Sequence, residues 1–417
     1  MAANIDITDL LNPVLTPEQR AALDATAAHP VTLSSSAILD AARAATGLSD
    51  FGPPDFLQRL EVWLKSIDED TQASSVTRMS LFQMCVRYAS TRLRLEDFLK
   101  QHPEARDVVI DRPIVVAGLP RSGTTHLLNL LSADRRLRSL PWWEAIAPVP
   151  DRRDGDAGTQ PDPRWTRAEA GWVQQDAMLP HMKAMHEFSP DHVSEDVELQ
   201  AIDFSSYLIE WLARAPRWRD YYLAHDQTST YAYMKKALQV LTFLKGPNRW
   251  VTKCPQHMEQ LPAVHGVFPD AAIVVTHRDP VASIQSAITM SCYAARILRK
   301  RVDPQGDAEY WIDRYERLLR RCVRDRDTLP ESQVLDVYFH ELMADSDAVL
   351  KQIYSKAGLS LTPAALAQLH EFLAAHPRGK YGQVQYNLRR DFGLQPEAIR
   401  ERFQFYLDRF PVRIEVK

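Results

Sequence analysis

The segment Pro113-Ile-Val-Val-Ala-Gly-Leu-Pro-Arg-Ser-Gly-Thr-Thr-His-Leu-Leu-Asn-Leu-Leu131 constrains the chain most. A β-branched run, a tight turn from Gly118 to Thr125 and a stretch with helical apolar spacing follow one another directly, which predicts a buried strand, a turn and an amphipathic helix. Such a unit is an anion cradle. Amides of Ser122, Gly123, Thr124 and Thr125 point at one centre from the positive end of the helix dipole, and hydroxyls and the Arg121 guanidinium converge on it. Gly118 and Gly123 admit the close backbone approach that a side chain blocks. The spacing Gly118-x-x-x-x-Gly123 opens like the loop of nucleotide-triphosphate enzymes, but that loop continues with Lys and then Ser or Thr, whereas Thr124-Thr125 stand here. Charge comes instead from Arg121, inside the turn, which suits a terminal group smaller and less charged than a triphosphate tail.

A local cluster of this kind is what an anion would need, because 50 basic against 54 acidic residues leave a formal net charge of −4 and no global field for nucleic acid or an anionic membrane. A second cluster follows in Trp250 to Pro280. It reads as a turn bearing Lys253, a helix with Met258, Leu261, Val264 and Phe268 as its buried stripe, and a strand ending in Arg278. Asp279 is a natural N-cap and Pro280 a first helical residue, so Arg278 belongs at the carboxyl end of a strand, where open α/β sheets bind ligands. Ser286, eight residues beyond Arg278, falls about two turns into the helix. A third basic element, Arg378-Gly379-Lys380, stands in a turn near the C-terminus.

Short β-branched runs (Ile114–Ala117, Ile273–Thr276, Val334–Phe339) alternate with helical stretches from Val108 onward, which argues for a parallel sheet with helices on both faces. Residues 1–104 show helical periodicity and no evident strand, so the expected organisation is a helical N-terminal cap on a P-loop-like α/β domain over 105–417, with a helical and loop insertion over 150–240. Residues 150–163 form the clearest loop, either a lid or a plain connection. No stretch approaches the length of a membrane span, and the first residues lack a basic and an apolar leader, so a cytoplasmic enzyme is expected. Cys85, Cys254, Cys292 and Cys322 lie far apart without metal-ligand spacing and read as free, mostly buried thiols.

Pro120-Arg121-Ser122-Gly123-Thr124-Thr125 resembles the phosphosulfate loop of the sulfotransferases that use 3′-phosphoadenosine 5′-phosphosulfate (PAPS), in its arginine form. The likeness is closest to the broad bacterial group with a helical N-terminal region and runs from about Leu48 to the C-terminus. It implies transfer of a sulfuryl group from PAPS to a hydroxyl of a small molecule, leaving 3′-phosphoadenosine 5′-phosphate (PAP). It also implies that Arg121, Ser122, Gly123, Thr124, Thr125 and His126 hold the 5′ end of the nucleotide and that Arg278 and Ser286, in the family's Arg-x-Pro…Ser arrangement, hold its 3′-phosphate. Arg378, Gly379 and Lys380 match a late glycine-containing segment over the same phosphate. Lys253 matches a lysine that stabilises the leaving phosphate oxygen, and no metal is called for.

The acceptor hydroxyl loses a proton as it attacks, so a positioned base is expected. Glu144, in Leu140-Pro-Trp-Trp-Glu-Ala, follows the loop helix at a distance similar to a catalytic glutamate of related sulfotransferases, and Trp142 and Trp143 predict an apolar setting that raises its pKa. A structural pairing with an arginine is its other reading. His181, His186 and His257 compete as bases. Aromatic and methionine side chains between Trp165 and Tyr233 (Trp172, Met178, Met182, Phe188, Tyr207, Trp211, Tyr231) read either as walls of an acceptor pocket or as core. Two rival functions stay open: a small-molecule kinase on the same sheet and a non-catalytic PAP-binding protein. The kinase-like triplets His277-Arg-Asp279 and Asp391-Phe-Gly393 argue little for the first, since Ile284 stands where a kinase has its asparagine and no Gly-x-Gly-x-x-Gly loop precedes them.

Overall fold

The computed structural model describes residues 3–154, 160–246, 248–377 and 379–417. Strands β2 (Ile114–Gly118), β3 (Leu137–Arg138), β4 (Arg249–Lys253), β5 (Ala272–His277) and β6 (Val334–Tyr338) form a parallel sheet in the order β3-β4-β2-β5-β6, while β1 (Asn4–Ile5) pairs with β7 (Gln383–Val384) separately. Both faces of the large sheet are covered, which is why its strands read as apolar runs rather than alternations. Ile114, Val116, Val251 and Val274 pack on one side against Leu127, Leu128 and Leu131 of the loop helix and against Leu350, Ile353 and Tyr354. Val115, Ala117, Ile273 and Val275 face the other layer, whose core runs continuously from Ile7 to Phe410.

The strand order places the site. After β2 the chain crosses to one side for β3 and β4, then passes over β2 to reach β5 and β6 on the other, so the carboxyl end of β2 is a topological switch point with a crevice above it. Register aligns Val116 with Lys253 and Gly118 with Thr276. The turn after β2, Lys253 ending β4 and Arg278 following β5 therefore stand side by side. Gly118 is needed here for packing: a Cβ would lie 1.9 Å from the Thr276 hydroxyl.

The N-terminal helices are sewn into the rest. Arg92, fully buried, donates to Asp203 at 2.7 Å, and Asp203 also accepts from Arg59 and Thr230 at 2.6 and 3.1 Å. Arg299 pairs with Asp70, and the hydroxyls of Ser74 and Thr77 donate to the carbonyls that end helix Pro280–Leu298. Contrary to the expectation of a strand-free N-terminal region, Asn4–Ile5 is extended and paired; two residues are too few to show a period. Of the 150–163 loop, 152–154 make a short 3₁₀ turn, while 155–159 lie outside the described residues, and the lid reading with them. Residues 163–245 are largely helical. All four cysteines are buried free thiols. Among the described residues no helix is long and apolar enough to cross a membrane.

Candidate functional site

Gly123 opens the loop helix Thr124–Ala133 at φ +88°, without a side-chain cap, so the amides of Thr124 and Thr125 in its first turn are presented to an anion. A Cβ on Gly123 would meet the Phe339 ring at 2.7 Å. Arg121 occupies the left-handed region at φ +67°, unusual for a side-chain-bearing residue, and this turn of the backbone aims its guanidinium into the crevice. There Nε donates to the Ser286 hydroxyl at 3.0 Å and Nη1 to the Met185 carbonyl at 2.6 Å. Ser122 differs from the expected cradle: its amide and hydroxyl both donate to the Leu119 carbonyl, at 3.2 and 2.7 Å, and the hydroxyl lies 2.9 Å from that of Thr276. It holds the turn's shape from beneath.

Asp279 caps the helix Pro280–Leu298 through the Val281 amide at 3.0 Å, so Arg278 sits where strand meets helix. Arg121, His126, Arg278, Ser286, Gly379 and Lys380 all line one cleft of about 770 Å³, within the range of about 300–1,000 Å³ usual for small-molecule sites. The two sequence-distant basic clusters thus share a wall. Arg378 lies outside the described residues.

A small second cavity adjoins the cleft, and Glu187, His192 and Val193 line both. Thr125 and Lys253 form its floor, with Trp142, His186, Phe188 and Glu195 around it. Lys253 is 1% exposed. Its Nζ is shared between the Glu195 carboxylate and the Thr125 hydroxyl, the latter at 3.3 Å. A carboxylate, a buried ammonium and the first turn of the loop helix therefore meet at the end of the anion cradle.

The expected bases scatter. Glu144 is buried between Arg138 at 3.3 Å and Lys245 at 2.6 Å, with Lys245 lying over the Trp143 ring. It lines neither cavity, so it takes the structural reading; Trp143 packs on its partner Lys245, whereas Trp142 turns to the small cavity. His257 is sealed in the core with both ring nitrogens engaged, by Tyr231 and Asp196 at 2.9 Å each. His181 is exposed and packs on Tyr293. His186 alone of the three reaches the cavity, its ring 4.3 Å from that of Phe188. Burial, together with the charges of Lys253 and Arg121, holds its imidazole well below the usual histidine pKa, so it is neutral at physiological pH. His192 beside it is pushed down to about 4, chiefly by burial.

Glu195 and His192 are the residues that sequence reasoning missed. Both lie in a polar connection without periodicity; the one hint was that a lysine ending a buried strand needs a counter-charge. Of the aromatic stretch, Phe188 reaches the cavity, whereas Tyr207 and Tyr231 are core and Trp211 stacks on Trp311 with centroids 4.0 Å apart.

The chain as a whole is similar to known sulfotransferases. The sulfotransferase family model matches residues 113–363, which span the loop, Lys253, Arg278 and Ser286. Sulfotransferase STF1 from Mycobacterium tuberculosis H37Rv superposes with a TM-score of 0.78 at 27% identity, covering 89% of this chain and 98% of its own. Sulfotransferase STF9 from Mycobacterium avium gives 0.82 at 25% identity, covering 93% and 99%. The omega-hydroxy-beta-dihydromenaquinone-9 sulfotransferase Stf3 of Mycobacterium bovis is 21% identical over 299 residues, 67% of this chain and 71% of that one. With more than half of its length matched by one family model, the chain belongs to the sulfotransferases, enzymes that transfer a sulfuryl group.

Proposed function

We propose that PAPS is the donor, that it lies along the cleft from Lys380 and Arg278 to Thr125, and that Glu195 is the base that deprotonates the acceptor. The observation that carries this reading is the Glu195–Lys253–Thr125 cluster in the small cavity that adjoins the cleft. The residues suit the donor: Arg121, Arg278 and Lys380 all line the cleft, and Gly123 leaves no side chain between the loop and Phe339.

When bound, the donor supplies the sulfuryl group and its 5′-phosphate is the leaving group. The first-turn amides and Arg121 bind and orient its sulfate-bearing end, where charge accumulates during transfer. Lys253 neutralises the oxygen left on the phosphate, which draws its ammonium away from Glu195. Glu195 is then free to receive the acceptor hydroxyl's proton on its carboxylate. Coupling the two through one ion pair keeps the base occupied until an anion arrives to claim the lysine. His186 and His192 stay neutral, so they add no competing positive charge. The acceptor enters over Trp142 and Phe188; an alcohol of the kind named for Stf3 is the first to assay. We place the enzyme in the cytoplasm, whose reducing conditions suit buried free thiols.

Calorimetric titration with PAP beside ATP and magnesium tests the donor: PAP alone should bind, and selective ATP binding would overturn the assignment. Glu195→Gln should bind PAP like the wild type while turnover falls by about 10²–10⁴-fold. Turnover at the wild-type rate would move the base to His186.

A further inference from the structure

Arg278 already holds a carboxylate. Its Nε and Nη2 donate to the two oxygens of Glu415, both at 2.7 Å, in the fork geometry that a guanidinium also offers a phosphate. Its Nη1 donates to the Arg121 carbonyl at 2.6 Å, and its guanidinium lies 4.0 Å from the centroid of the Phe339 ring, so the fork is fixed in direction. Glu415 is fixed too. Its amide and that of Val416 donate to Asp279 Oδ2 at 2.8 and 3.2 Å, and Arg400 donates to the Val416 carbonyl. Asp279 is fully buried, and its other oxygen caps the helix that carries Ser286. The chain's last residues are therefore latched to the base of the anion site, with one carboxylate directed at the cleft arginine.

We infer that Glu415 is a built-in competitor for the 3′-phosphate of the nucleotide and so sets how strongly this enzyme distinguishes nucleotides by their 3′ substituent. The inference rests on Arg278 as the 3′-phosphate ligand. A phosphate near its dianionic form brings more charge and more acceptor oxygens than a carboxylate, so it takes the Nε–Nη2 edge. The Glu415 side chain, 27% exposed, turns to water while its backbone stays on Asp279. A nucleotide with a free 3′-hydroxyl offers no anion there and leaves the pair intact. Glu415 thus weakens the hold on 3′-phosphorylated nucleotides alone, which favours departure of the bisphosphate product.

Titration of the full chain with PAP and with adenosine 5′-monophosphate, which has no 3′-phosphate, tests this. Glu415→Gln should tighten PAP about fivefold, the size of a partly exposed ion pair, and leave the monophosphate unchanged. In an Arg278→Ala background the same substitution should change neither. Unchanged or weaker PAP binding by Glu415→Gln would overturn the inference and make Glu415 a residue that orients the arginine. If instead Arg278→Ala binds PAP as well as the wild type, or the wild type binds none, the assignment of the 3′-phosphate site itself fails and the inference falls with it.

Discussion

Arg121 and its neighbours set a backbone cost against an electrostatic gain. A left-handed conformation costs a residue with a Cβ about 1–2 kcal/mol, and Arg121 adopts it at φ +67° with its guanidinium held on Ser286 in the crevice. This yields a prediction that separates binding from folding. Arg121→Ala and Arg121→Gly should lose PAP binding equally, but the glycine variant should be the more stable of the two by about 1 kcal/mol, the reverse of their order in a helix. Urea denaturation of both variants measures the gap, and an alanine variant as stable as the glycine one would show that the turn carries no strain. The same scale explains what the sequence revealed. Arg121, Gly123 and Arg278 were legible because strand, turn and helix signals lie within a few residues of each. Glu144 was misleading for a related reason: sequence proximity to the loop helix suggested a role, whereas its partners Arg138 and Lys245 come from an adjoining strand and a distant helix that only folding brings together.

Among the elements, the parallel sheet and its flanking helices were readable because buried parallel strands leave unbroken β-branched runs. The pairing of β1 with β7 was not, since its information lies in two ends of the chain. That pairing has consequences for the site. The Gln383 and Gln385 amides donate to the carbonyls of Ala3 and Ile5, both at 2.9 Å, and Gly382, at φ +98°, has no Cβ that would meet the Ile5 side chain at 2.6 Å. Asp6 pairs with Arg390 at 2.8 Å. Gly379, Lys380 and residues 381–386 form one wall of the cleft, so the first residues of the chain act as a brace behind it. Removing residues 1–6 should therefore raise the KM for PAPS by about three- to tenfold while kcat and the acceptor KM stay near wild type, because the transfer cluster at Lys253 hangs on different strands. An equal loss in kcat would mean that the N-terminal strand supports the whole fold rather than this wall.

At the scale of the whole molecule, one core runs through the N-terminal helices, the insertion and the sheet, and it closes over titratable groups at the site. His186 and His192 are held neutral there, and the sign of the resulting pH dependence follows from the shifts. Above pH about 6.5 the histidines are neutral in both folded and unfolded chains and contribute nothing. As pH falls below that value the unfolded chain takes up protons, while His192 in the folded chain resists until about pH 4. Stability is therefore lost on acidification across that window and recovered by removing the imidazole. Between pH 7.5 and pH 5.0 the wild type should lose up to roughly 2 kcal/mol more than His192→Asn, as read from denaturation midpoints of both proteins at both pH values. Parallel losses in the two proteins would show that His192 is protonated in the fold. In that case it would carry a positive charge at the junction of cleft and cavity, where it would compete with Lys253 for the leaving phosphate. A neutral His192 leaves Lys253 as the cation beside Glu195, which is what the coupling of base and lysine requires.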